Sequence, residues 1–355
     1  MKKKILVAVS GILAAAVLTA CGQTAATTTY NGSYWNKDTS DEIAAGKTET
    51  LEYNVYATEE KDGLWNKTQA NSVLSFKTTN VISESGQTLS SSYKTTLTAA
   101  DDGTYVYKTT LNVYGEYETN ENTYSVNDVT TTETVFGKFD KNFAPIKSVK
   151  TVSNTVPFYS GNAYEFKLVH YESTVTYADG TASVSINVFD DDESPEQFKE
   201  RAKKVTEVSK YNKSAYIDIN LMLLMFRNFK HEANMSYSFK TVEPLSGELQ
   251  SVSGSIYTKT STEKNSSSLE YLSACSLSNV AFGNAMRHNY SFNVVRMDFS
   301  TTGSTGQTFM RAFYAQGYDG ATEANSARHI PVMIAQPTIF NTGFLVYELK
   351  TANLM

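Results

Sequence analysis

A chain of 355 residues that is 41% hydrophobic and 12% aromatic carries enough apolar material for the core of one large or two ordinary domains, which excludes a disordered protein. Its 31 Lys and Arg stand against 37 Asp and Glu, a net charge of −6, and that balance argues against nucleic acid or an anionic membrane surface as partner. Only Cys21 and Cys275 are present, so neither a CxxC pair nor a Cys/His metal cluster exists.

The first twenty residues read as a targeting segment. Lys2, Lys3 and Lys4 form a basic start, Ile5 to Val17 an apolar stretch, and Leu18-Thr19-Ala20 a small-residue processing site before Cys21. Leu-x-Ala-Cys at this distance from the start resembles a bacterial lipobox. The resemblance implies a diacylglyceryl group on the Cys21 sulfur, removal of the leader, and anchoring outside the cytoplasmic membrane. Two acyl chains suffice for stable anchoring. With Cys21 taken by lipid, Cys275 has no disulfide partner and is expected as a small buried residue within Leu272-Ser273-Ala274-Cys275-Ser276-Leu277.

Residues 21–49 are expected as a tether, since Gln23 to Thr29 has no apolar period and Asn31-Gly32 signals a turn. From Leu51 the period becomes two. Leu51, Tyr53 and Val55 alternate with Glu52, Asn54 and Tyr56, and Leu74, Phe76 and Thr78 repeat the pattern. Leu89 to Thr98 and Thr104 to Tyr117 flank Asp101-Asp102-Gly103, a hairpin turn of the Asp-Gly type. Val126 to Phe139 precedes Ile146 to Val152, and Ala163 to Tyr177 precedes Thr181 to Phe189. Sequential hairpins predict neighbouring antiparallel strands.

A helical island interrupts this run at 194–229. Ser194-Pro195-Glu196-Gln197 is a helix start, and Phe198, Ala202, Val205 and Val208 fall on one face of the helix it predicts. Ile217 to Phe229 is apolar on nearly every side and needs cover all round. It is too short for a membrane span and holds Asp218 and Arg227. A buried helix is the expectation.

Strands then resume at Met235 to Phe239 and Ser251 to Thr260. Glu263 to Ser268 reads as a polar loop, and strands return at Tyr290 to Val295, Gln307 to Tyr314, His329 to Ile334 and Gly343 to Leu349. The predicted fold is mainly β: a large curved antiparallel sheet, a half-barrel or open barrel, with the helical insertion on its concave face. Residues 50–355 form the β-rich domain, as one unit or as two β halves, 50–193 and 230–355.

Three phrases carry a second resemblance. An apolar helix ending in Arg (Asp218 to Phe229), Arg328-His329-Ile330-Pro331-Val332-Met333-Ile334, and Val346-Tyr347-Glu348-Leu349 together resemble the half-barrel of the LolA/LolB lipoprotein carriers and the uncharacterised periplasmic family that shares their fold. Met333 stands where that pattern has a basic residue. The resemblance implies a concave apolar face that receives acyl chains.

No motif marks catalysis. His170, His231, His288 and His329 lack metal-ligand spacing, Asp190-Asp191-Asp192-Glu193 lacks the alternating ligands and Gly of a calcium loop, and no GxSxG, HExxH or phosphate loop occurs. No cofactor is expected. The expected function is that of an anchored, non-enzymatic extracytoplasmic lipoprotein binding a lipid or other apolar ligand, with Leu221, Met222, Leu224, Met225 and Phe226 as lining. The alternatives are a structural or protein-interaction lipoprotein of the envelope with no small ligand, and an enzyme with dispersed catalytic residues.

Overall fold

The computed structural model describes residues 28–29, 43, 45–59, 74–137, 143–160, 163–178, 181–189, 206–209, 217–244, 247–263, 266–270, 272–301, 308–318, 329–338 and 343–354. The leader, Cys21 and the predicted helix over 194–205 lie outside these residues.

Twelve strands come first: β1 (Thr28–Thr29), β2 (Thr48–Thr58), β3 (Leu74–Thr78), β4 (Val81–Ile82), β5 (Thr88–Leu89), β6 (Ser92–Ala99), β7 (Tyr105–Thr119), β8 (Thr123–Phe136), β9 (Pro145–Ser160), β10 (Ala163–Ala178), β11 (Thr181–Val188) and β12 (Thr206–Ser209). A 3-10 turn (Ile219–Leu221) leads into helix α1 (Met222–Arg227). Then follow β13 (Ser236–Val242), β14 (Leu249–Ile256), β15 (Lys259–Glu263), β16 (Ser266–Glu270), β17 (Leu272–Phe282), β18 (His288–Thr301), β19 (Thr308–Tyr318), β20 (Pro331–Pro337) and β21 (Phe344–Asn353).

The protein is mainly β. Seventeen strands share one sheet, which runs by antiparallel pairing from β12 through β11, β10, β9, β8, β7 and β6 to β2, and on through β21, β20, β19, β18 and β14 to β13. Part of this sheet closes on itself. β17 pairs with β18 and also, in parallel, with β21, so β17 to β21 form a closed five-strand barrel. Closure removes free edges there. A second parallel pairing places β1 on the edge of β13.

Alternation explains the inward set. Glu49, Leu51, Tyr53 and Val55 of β2 are buried while Asn54 between them is exposed, the period-two signature of a strand with one covered face. β2 pairs with β6 over Thr48–Asn54 and with β21 over Thr50–Thr58, so the first long strand pairs with the last. The Asp-Gly turn forms as expected. Gly103 takes φ +82°, a left-handed value that a Cβ would strain, while Asp102 Oδ1 accepts from the Thr104 N–H at 2.9 Å.

Several expectations change. β2 begins at Thr48, one residue before the expected tether end at 49, and β9 runs to Ser160 rather than Val152. Thr206–Ser209 is not the end of a helix but strand β12, paired with Thr181–Val184 of β11; Thr and Val suit a strand, and β11 offers an edge. The strand expected over Ser251 to Thr260 ends at Ile256, and the polar loop over Glu263 to Ser268 is the hairpin β15–β16. Its sequence, Lys259 to Glu263 and Ser266 to Glu270, carries no alternating apolar residues, so hydrophobic period alone cannot reveal it. β17 has no predicted counterpart beyond the expectation that Cys275 is buried, which holds at 6% exposure.

Candidate functional site at the buried helix

The run Leu221 to Phe226 sits in the middle of the main core. Leu221, Leu224, Met225, Phe226 and Phe229 have no exposed surface, and Met222 has 2%. They share one hydrophobic cluster with inward residues of β2, β6, β7, β8, β13, β14 and the five-strand barrel. The Phe226 ring meets Phe229, Tyr237, Phe239 and Phe299 at centroid distances of 4.8 to 5.8 Å. Gly254 of β14 makes this approach possible, since a Cβ there would stand 2.8 Å from the Phe226 ring.

A six-residue helix is too short to be stable alone, and its end relies on groups beyond the helical ladder. The Asn228 N–H donates to the Met225 carbonyl at 3.0 Å, and three side chains bond other carbonyls of the helix. Tyr314 Oη donates to the Leu223 carbonyl at 3.2 Å, Asn228 Nδ2 to that of Leu224 at 3.2 Å, and His231 Nε2 to that of Phe226 at 2.7 Å. Because His231 Nε2 carries the proton, its Nδ1 is free to accept from Gln316 Nε2 at 2.9 Å. Burial, with a smaller contribution from His329, pushes His231 down to about 3, and burial pushes His329 down to about 4. Both rings are neutral at physiological pH, stacked 4.6 Å apart.

Each end of the segment is held by a carboxylate. At the C-terminal end, Arg227 Nη1 and Nη2 donate to the Glu49 carboxylate at 2.6 and 3.0 Å, and both side chains are 2% exposed. Tyr53, Tyr107 and Tyr314 surround the pair, and burial raises all three phenols above their ordinary value. At the N-terminal end, Asp218 caps the 3-10 turn by accepting from the Asn220 N–H at 2.8 Å. It also accepts from Tyr177 of β10 and from Ser148 of β9. Burial raises its carboxyl above the usual range.

A further carboxyl holds the sheet where it forks. β8 and β9 pair from Val129 opposite Ser153; beyond that point Asp128 Oδ1 accepts from the Thr155 N–H at 2.6 Å. Burial pushes the Asp128 carboxyl up to about 7, against those Thr155 bonds. A folded-state value above the unfolded one near 4 means the native state holds the proton more tightly. The resulting stabilisation is complete below about pH 4 and fades as pH rises through about 7. Unfolding free energies of wild type and Asp128→Asn, measured from pH 4 to 8, are therefore expected to diverge in the variant's favour with rising pH. A pH-independent difference between the two would contradict this.

The structure thus gathers all five expected site residues, Leu221, Met222, Leu224, Met225 and Phe226, into one core cluster. It adds Glu49, Tyr53, Tyr314, His231 and Gln316, which had no expected role. Among the described residues, no three His, Cys, Asp or Glu side chains gather as metal ligands.

No protein-family model matches the chain, and no curated protein does. Among solved structures, the chain is similar to a β-barrel-like protein of a domain-of-unknown-function family, DUF1849, from Brucella abortus. That likeness has a TM-score of 0.45 at 5% identity and covers 87% of this chain and 98% of the other.

Proposed function

We propose that the chain is a non-enzymatic lipoprotein of the bacterial envelope, held to the membrane through Cys21, whose working part is a rigid β scaffold that acts by presenting its surface. The observation that carries this reading is how the interior groups capable of chemistry are used. Arg227 is bound to Glu49, Asp218 to Tyr177 and Ser148, and His231 to the Phe226 carbonyl and Gln316. Each fixes the helical segment to the sheet. The outer face of the β6–β11 wing is correspondingly polar, with Lys94, Thr110, Thr131, Thr151, Glu172 and Asn187 in one register row.

Anchoring is tested by Cys21→Ser. The variant is expected in the soluble fraction or unprocessed; normal processing with unchanged membrane retention would defeat the reading. Native mass spectrometry of the gently purified protein is expected to give the lipidated chain alone.

A second reading, a carrier of an apolar guest, is favoured by Met222 and Met225. Unbranched thioethers repack around variable shapes more readily than branched side chains do. On this reading Leu221, Leu224 and Phe226 form the frame and the two methionines yield. Saturable binding of a fluorescent fatty acid, blocked by Met222→Trp in a folded variant, would establish it over the scaffold reading.

A further inference from the structure

The strand register bears on where a membrane would lie. Thr28 pairs with Tyr237 and Thr29 with Ser238 in parallel, so the chain enters β1 from the Met235 end of β13. That end is well defined: the Ile256 N–H donates to the Met235 carbonyl at 2.9 Å, and the Tyr257 N–H to that of Arg296 at 2.9 Å. Only six residues separate Cys21 from Thr28, seven Cα steps with a reach of at most about 25 Å. Measured instead to Ile43, which packs in the main core, the same tether would allow about 80 Å from Cys21. Docking of two threonines removes most of that freedom.

The same end of the sheet holds the start of β2, since Thr50 lies opposite Asn353. Thr351 pairs with Ala281 just before the β17–β18 turn. That turn exposes Met286 at 75%, next to Arg287, and Tyr257 is 44% exposed with the Arg296 guanidinium 4.1 Å over its ring. An apolar apex beside a cation, and an amphipathic Tyr, suit the boundary between water and acyl chains. The opposite end carries Thr58, the β20–β21 turn and the β4–β5 hairpin with Ile82 at 68% exposure.

We infer that the end of the β domain bearing Met235, Tyr257 and Met286 faces the lipid surface, held against it by the docking of Thr28–Thr29 on β13. This rests on anchoring through Cys21. The test uses the full lipidated chain in phosphatidylcholine vesicles carrying a nitroxide-labelled headgroup. A fluorophore is placed on Met286→Cys or on Ile82→Cys, the buried Cys275 staying unlabelled. Several-fold stronger quenching at position 286 than at 82 is expected, and Thr28→Pro with Thr29→Pro, which removes the β1 donors, is expected to level the two. Equal quenching in the parent chain, with the protein bound to vesicles, overturns the orientation alone. Failure of the full chain to bind vesicles while Cys21→Ser behaves identically overturns anchoring, and the orientation with it.

Discussion

Replacing Glu49 by Ala is expected to cost about 3–5 kcal/mol, because it strands the Arg227 guanidinium in the core without its carboxylate. The two side chains are 2% exposed and joined by two hydrogen bonds of 2.6 and 3.0 Å, so no water can replace the lost partner. Set against a domain stability of about 5–15 kcal/mol, the loss would move the denaturant midpoint by a large fraction of its value. The pair itself is a different matter. Removing both charges, as in Glu49→Leu with Arg227→Met, is expected to restore most of that stability, since desolvating an ion pair offsets much of its attraction. A single Glu49→Ala variant with an unchanged midpoint would mean that β2 and α1 are not tied through these groups.

Phe226→Ala is the second large effect, about 3–5 kcal/mol for emptying a fully buried aromatic site. Its interest lies in its partner. Gly254→Ala alone is expected to cost about 1–3 kcal/mol, because the added methyl would press on the Phe226 ring at 2.8 Å. In the double variant the methyl enters space the ring has left, so the two losses should sum to less than their separate values. Strict additivity in a double-mutant cycle of melting curves would show that the ring does not rest on Gly254.

Much of this architecture could be read in advance. The long hairpins from β6 to β11 follow from alternating Thr, Tyr and Val punctuated by Asp-Gly and Asn-rich turns, and the burial of Leu221 to Phe226 follows from a run that is apolar all round. The hairpin β15–β16 was not legible, because its Ser- and Thr-rich sequence has no alternating apolar residues to set a period. Barrel closure was not legible either, since it joins Ala281 to Thr351 across about a fifth of the chain in a parallel sense that no turn encodes. The ion pair lay half-visible. Glu49 shares the parity of Leu51, Tyr53 and Val55, and Arg227 stands in an otherwise apolar helix. Two lone opposite charges on inward faces each need a partner, but nothing in sequence spacing says they meet.

The position of β2 also decides how the molecule would respond to a pull. With the anchor at Cys21 and the scaffold bound to something fixed, tension travels first to β1, held to β13 by two residue pairs. Those few bonds would part first, and the load would pass to Ile43, which packs in the main core, and to Gly46, whose N–H donates to the Ala99 carbonyl at 2.9 Å. The next element in line is β2, gripped along both edges by β6 and β21 and pinned at its near end by Glu49. Force along that strand loads many hydrogen bonds side by side rather than one after another. Under that anchoring, a pull would meet a mechanical fuse at the threshold and a shear-resistant clamp behind it.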